Sequence, residues 1–204
     1  MKLLNHTVGI LTHPDQEWAQ IRSEKENKLS VFLTHVPILA LIPVLATFYG
    51  VTEIGWAFNG NHMYLTQESA ASLAAVSYVA NLGVVYMLGE FINWMTETFA
   101  EKEMETGRGM TMAVFLMTPV FLSGLVFVYP HLWLCATVAI AGIAWAVYLC
   151  YEGMPILMKI PKERAFMFSS SVMTVGLVLL VIMKVASVIV WSIGIGPEYT
   201  SMPS

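Results

Sequence analysis

Five long apolar stretches, separated by short polar connectors, dominate the pattern of hydrophobic and polar positions along this chain. The stretches comprise residues 31–51, 70–94, 110–129, 132–151 and 166–195. Each is close to or longer than the ~20 residues that an α-helix needs to cross a hydrocarbon core of about 30 Å. Little more than Pro130 and His131 separates the third stretch from the fourth, so these two are expected to form an antiparallel hairpin. The pattern therefore predicts five membrane-spanning helices.

The composition supports the same prediction. Hydrophobic residues make up 57% of the chain and charged residues 12%, whereas a soluble domain has roughly 45–50% and about 25%. No repeat and no separate soluble domain is visible, so we expect an all-α polytopic bundle. We divide it into an N-terminal segment (1–29), a membrane domain (30–196) and a short external tail (197–204).

Lys and Arg residues are distributed unevenly among the connectors. Four precede the first span, two lie between the second and third spans, and three lie between the fourth and fifth. The other connectors carry none. Basic residues concentrate on the cytoplasmic side of membrane proteins, so the sequence predicts a cytoplasmic N-terminus and a periplasmic C-terminus in a cell inner membrane. The tenth basic residue, Lys184, lies within the fifth apolar stretch.

Residues 14–28 are predicted to form a short amphipathic helix before the first span. Pro14 suits a first helical turn, and Trp18 and Ile21 fall on one side of the helix. We interpret this side as an anchor in the cytoplasmic membrane interface. An ordinary solvated helix is the alternative.

Lys184 is the residue that most favours a functional site within the membrane. A charge at the centre of a spanning helix costs roughly 2.5–3.5 kcal/mol on insertion scales, and such residues often mark function. Asn81 and Thr118 lie at comparable depth, and Pro119 and Pro43 each free a backbone carbonyl one turn earlier. We expect these five residues to form a midplane polar cluster. The alternative is a Lys tolerated at a helix or subunit contact.

Three acidic residues, Glu90, Glu97 and Glu101, form a second candidate constellation. On a continuous helix they lie within about 40° of one face. They could bind a cation or proton at the cytoplasmic side. The alternative is a solvated helix end that pairs with the basic connector between the fourth and fifth spans.

Two consecutive segments, residues 148–155 and 159–165, resemble the Yip family, the Rab/Ypt-interacting-protein group of five-span membrane proteins. The matching features are Tyr151 at a helix end, a turn with Gly153 and Pro155, and the Pro161–Lys162 entry to the last span. Further similarity to the bacterial inner-membrane members lies in His13–Pro14–Asp15, Ile54–Gly55–Trp56, Thr118–Pro119, Tyr129–Pro130 and Phe168–Ser169–Ser170–Ser171. The resemblance covers roughly residues 10–196 and implies the five-span fold. Eukaryotic members engage prenylated GTPases through a longer N-terminal region, and that role does not carry over.

The sequence contains no motif for nucleophilic catalysis, nucleotide binding or metal ligation. No basic tract indicates a nucleic-acid partner. We therefore expect no enzymatic activity, no cofactor and no metal. The leading hypothesis is an inner-membrane protein that organises membrane lipid or partner proteins, among them another membrane protein or a second copy of itself. The alternative is a small transporter or channel that uses the cluster around Lys184.

Overall fold

The computed structural model describes residues 2–24, 27–58, 61–99, 105–194 and 196–200. Within these ranges the chain forms seven α-helices: α1 (Lys2–Thr12), α2 (Pro14–Ser23), α3 (Lys28–Tyr49), α4 (Gln67–Thr98), α5 (Gly109–Ser123), α6 (Leu132–Met158) and α7 (Lys162–Ser192). A π-helical turn, Gly50–Ile54, extends α3, and a 3-10 helix, Gly124–Val128, extends α5.

Five segments are long and apolar enough to cross a membrane. They are Leu29–Ile54, Gln67–Thr98, Gly109–Val128, Leu132–Met158 and Lys162–Ser192. The predicted all-α bundle with five spans is therefore confirmed. Helices α4 and α7 begin before the apolar stretches that predicted them, because their first turns are polar.

The predicted turn at Gly153 and Pro155 is wrong, because α6 continues through both residues to Met158. A proline inside a helix costs roughly 3 kcal/mol. The last helical turn of α6, which follows Pro155, however, contains Leu157 and Met158, and both side chains are fully buried. Burying two side chains of this size contributes a similar or larger free energy, at roughly 1.5–3 kcal/mol each. The chain instead reverses at Lys159, which adopts a left-handed conformation with φ 52°.

Helix α5 lies at the centre of the bundle and packs against α3, α4 and α6. Helix α7 lies at the periphery, where it contacts α4 and α6. Most of its remaining surface consists of exposed apolar side chains, including Val181, Val185 and Ile189, and the charged Lys184 is exposed among them. Lipid acyl chains are a suitable environment for such a surface, whereas water is not.

A small sheet closes one end of the bundle. Strand β1 (Trp56–Phe58) pairs antiparallel with β2 (Asn61–Leu65), and β2 pairs antiparallel with β3 (Tyr199–Thr200). The tail after the last span therefore folds back onto the connector between the first two spans. We call these three strands the hairpin lid, and the opposite end of the bundle, where α2 meets the end of α6, the basic end.

At the basic end, α1 and α2 fold back onto the bundle, α1 onto α5 and α2 onto α6. Helix α1 was not predicted from the sequence. The predicted end of α2 was too late, because Glu24 adopts an extended conformation and ends the helix after Ser23. Asn27 then begins α3, since its side chain accepts a hydrogen bond from the backbone N–H of Leu29 at 3.1 Å. Lys25 lies outside the described residues.

Candidate functional site

A groove of about 510 Å³ lies between α3, α4 and α7, beneath the hairpin lid. Its volume is within the range of about 300–1,000 Å³ that is typical of small-molecule pockets. Pro43, Asn81 and Lys184 line one end, and Trp56 and Tyr199 line the other. The walls between the two ends are mainly apolar.

The register of the helices places the Lys184 end of the groove well away from the lid along α4 and α7, and the Lys184 side chain is exposed there. At the lid, the Ser69 hydroxyl donates to the carbonyl of Gly196 at 2.9 Å and accepts from the N–H of Glu198 at 3.0 Å. Asn81 lies twelve residues further along α4, which corresponds to about 18 Å at 1.5 Å per residue. This length along α4 is somewhat more than half the thickness of a hydrocarbon core of about 30 Å.

Lys184 is the only formally charged residue among the described residues that line this groove. None of the described carboxylates forms an ion pair with its ammonium group. The polar groups that share the lining are uncharged: the amide of Asn81 and the hydroxyls of Thr47, Ser77 and Ser187. In a low-dielectric environment, a cation without a counter-ion attracts anions more strongly than it would in water.

The structure brings together three of the five residues of the predicted midplane cluster, namely Lys184, Asn81 and Pro43. The inclusion of Thr118 and Pro119 is wrong, since neither lines the groove. Both lie on the central helix α5, where Thr118 is 1% exposed and donates to the carbonyl of Val114 at 3.1 Å. Residue counting predicts a common level for these side chains, but a common level does not determine the face of a helix on which a side chain lies.

The interpretation of Trp18 and Ile21 as a lipid anchor is also wrong. Trp18 is fully buried and Ile21 is 5% exposed, so neither side chain is available to the bilayer. The indole ring packs on Gly153 of α6 and contacts the ring of Phe115 edge-on, with centroids 6.1 Å apart. The backbone of Gly153, which carries no side chain, provides the space for the indole. The apolar side of α2 therefore faces the protein.

Charged side chains connect three segments at the basic end. Glu105, in the connector between α4 and α5, pairs with Lys159 at 2.7 Å and with Arg108 at 3.0 Å. The hydrogen bond from Lys159, together with the charges of the neighbouring basic residues, holds the pKa of the Glu105 carboxyl below its ordinary value. Arg22 of α2 donates to the carbonyl of Ile156 at 2.8 Å. These contacts attach α2 and the connector to the end of α6.

The predicted acidic face is only partly described. Glu90 is half-buried and Glu97 is exposed, both on α4, whereas Glu101 lies outside the described residues. A cation site that joins all three therefore remains a prediction. Lys159, one of the basic residues expected to pair with this face, pairs with Glu105 instead.

In the motif around the connector between α6 and α7, the residues contribute to the structure at the ends of these two helices. Tyr151 lies within hydrogen-bonding distance of the Ser170 hydroxyl, 2.9 Å away, and thereby joins α6 to α7. Pro161 precedes α7 and accepts a hydrogen bond from the N–H of Ala165 at 2.9 Å. Lys162 begins α7 with an exposed side chain.

Two buried polar contacts were missed in the sequence. Asn93, which is 4% exposed, accepts a hydrogen bond from the backbone N–H of Gly109 at 2.6 Å. His6, which is 5% exposed, contacts Glu17 at 2.5 Å across the α1–α2 elbow. An Asn in an otherwise apolar helix was a usable signal, because buried amides need partners. No sequence signal predicted the pairing of His6.

Comparison with known proteins assigns the family. The Yip1 domain model matches residues 8–183. Two curated relatives, both named Inner membrane protein YohC, come from Escherichia coli K12 and from E. coli O6:H1 strain CFT073. Each is 35% identical over 192 residues, which cover 94% of this chain and 98% of the relative. No solved structure matches. With five apolar helices, this similarity indicates a multi-pass inner-membrane protein. The chain belongs to the Yip1 domain family.

Proposed function

We propose that this chain is a non-enzymatic inner-membrane protein that binds and organises lipid through the groove beneath the hairpin lid. The observation that supports this proposal is the amphipathic lining: mainly apolar walls lead from the lid to Lys184, the one cation among the described lining residues. Lipids are the amphiphiles that surround such a groove at high concentration.

The chemistry of the lining favours binding over catalysis. Ammonium, amide and hydroxyl groups are present, but none of the described lining residues is a Cys, His, Asp or Glu. General acid–base catalysis most often uses His, Asp or Glu. The groove thus offers hydrogen bonds and one positive charge to a ligand.

Filling the groove provides the test. Ala74 lines it and is half-buried, so Ala74→Trp is expected to occupy much of its volume. Val79 lies on the same helix, is 67% exposed and does not line the groove, so Val79→Trp is the matched control. Each variant would be extracted with native membrane and its retained lipid measured by mass spectrometry. Ala74→Trp should reduce the lipid retained per chain, whereas Val79→Trp should retain the wild-type amount. Equal retention by all three proteins would refute the proposal.

Lys184 also favours a second candidate, a small transporter with its site in the same groove. Reconstituted vesicles separate the two candidates. Solute movement that Ala74→Trp blocks and Val79→Trp does not would favour transport. Lipid retention without flux would favour lipid organisation.

Pull-down of a second membrane protein, or of a second copy, would identify the partner proteins that the organising role allows.

A further inference from the structure

We infer that the groove holds a single-chain acidic lipid, a free fatty acid, with its carboxylate on the ammonium group of Lys184. This inference rests on the proposed lipid-binding function and specifies its ligand class. It depends on the position of the charge, because Lys184, whose side chain is exposed, lines the end of the groove that lies farther from the lid.

The Lys184 end of the groove complements a carboxylate. Lys184 has a positive charge that none of the described carboxylates neutralises, and an acidic ligand would supply the counter-charge. Asn81 and Ser77 add an amide donor and a hydroxyl donor to the same lining. Charge-assisted hydrogen bonds of this kind are about twice as strong as neutral ones. An uncharged head group would leave the cation without a partner.

The remaining length of the groove complements one acyl chain. From the Lys184 end towards the lid, the walls are formed by side chains such as Val44, Leu73 and Val190, and Trp56 and Leu65 line the outer end. A fatty acid bound with its carboxylate inward would place its chain along these walls. A phospholipid would additionally have to place a glycerol group and a second chain in the same volume of about 510 Å³.

Binding of palmitate and of hexadecanol tests the inference, because the two share one chain and differ in charge. The whole protein would be placed in nanodiscs of neutral phosphatidylcholine and titrated with each radiolabelled ligand. We expect saturable binding of palmitate at one molecule per chain, at least about tenfold tighter than hexadecanol. Lys184→Met should remove this preference, and Lys184→Arg should keep most of it. Lys162→Met, which removes an exposed Lys outside the groove, should bind like the wild type.

Equal binding of palmitate and hexadecanol by the wild-type protein would overturn the inference without requiring any variant to fold. A preference that persists in Lys184→Met would overturn it too. Displacement of palmitate by an anionic phospholipid, but not by other fatty acids, would reject the single-chain ligand. In each of these cases, lipid retention that Ala74→Trp still reduces would leave the proposed function intact. If Ala74→Trp does not reduce the amount of retained lipid at all, both the proposed function and the fatty-acid inference are rejected.

Discussion

The indole of Trp18 lies directly on the backbone of Gly153. A Cβ atom added at Gly153 would approach the indole Cε2 atom to 2.6 Å, and the indole is fully buried. This contact fixes α2 against α6 and explains why an aromatic residue before the first span faces the protein rather than the bilayer.

Replacing Gly153 by Ala should weaken the docking of the N-terminal helices. The added methyl group displaces a buried ring, and overpacking of this kind typically costs about 1–3 kcal/mol. Thermal unfolding in detergent would measure the loss as a lower transition temperature. Gly83→Ala is the control, since nothing lies within 4 Å of a Cβ at that position of α4. The proposed contact is wrong if the two variants unfold at the same temperature.

Asn93→Ala should destabilise the junction of α4 and α5. The variant leaves the buried N–H of Gly109 without its 2.6 Å acceptor, and an unsatisfied buried donor costs about 1–3 kcal/mol. Glu97→Gln is the control on the same helix, because Glu97 is exposed and surface changes usually stay within about 0.5 kcal/mol. A thermal unfolding series would separate them. An unchanged transition temperature for Asn93→Ala would contradict the prediction.

Glu105→Gln should destabilise the basic end at neutral pH but not in acid. The folded protein lowers the pKa of Glu105, so its carboxylate stabilises the fold above the ordinary carboxyl range. That contribution is lost as the pH falls through the lowered pKa, below about pH 4. The effect should be under about 1 kcal/mol, since the pair is partly exposed. Unfolding at pH 7 and pH 3 would test it, with Glu163→Gln as an exposed carboxylate control. A difference from wild type that is the same at both pH values would exclude this explanation.

The basic residues predict that the basic end faces the cytoplasm. Alkaline phosphatase fused after residue 204 should then be active, because it would lie in the periplasm. A fluorescent protein that folds only in the cytoplasm, fused at the same position, should show no fluorescence. Exchanging Lys159, Lys162 and Arg164 for Gln should weaken this bias. Fluorescence without phosphatase activity in the wild-type fusion would reverse the orientation.

The sequence determined the features that depend on composition and length. Five apolar stretches of spanning length produced five spanning helices, because every backbone polar group inside a bilayer must be satisfied within its own segment. Residue counting also predicted that Lys184 and Asn81 lie at one level, since the rise per residue of an α-helix is constant, and both line the same groove. The order of the motifs identified the family.

Only the tertiary structure decided which faces meet. Thr118 was predicted to lie at a depth similar to that of Asn81, yet it packs inside the bundle, because α5 is enclosed by three other helices. Trp is a residue type that often anchors helices at the membrane interface. Trp18 is nevertheless a core residue, because its indole packs on the backbone of Gly153, which is distant in the sequence. The helical period assigns a side chain to one side of its own helix. Whether that side meets lipid, water or another helix depends on the packing of segments that are distant in the chain.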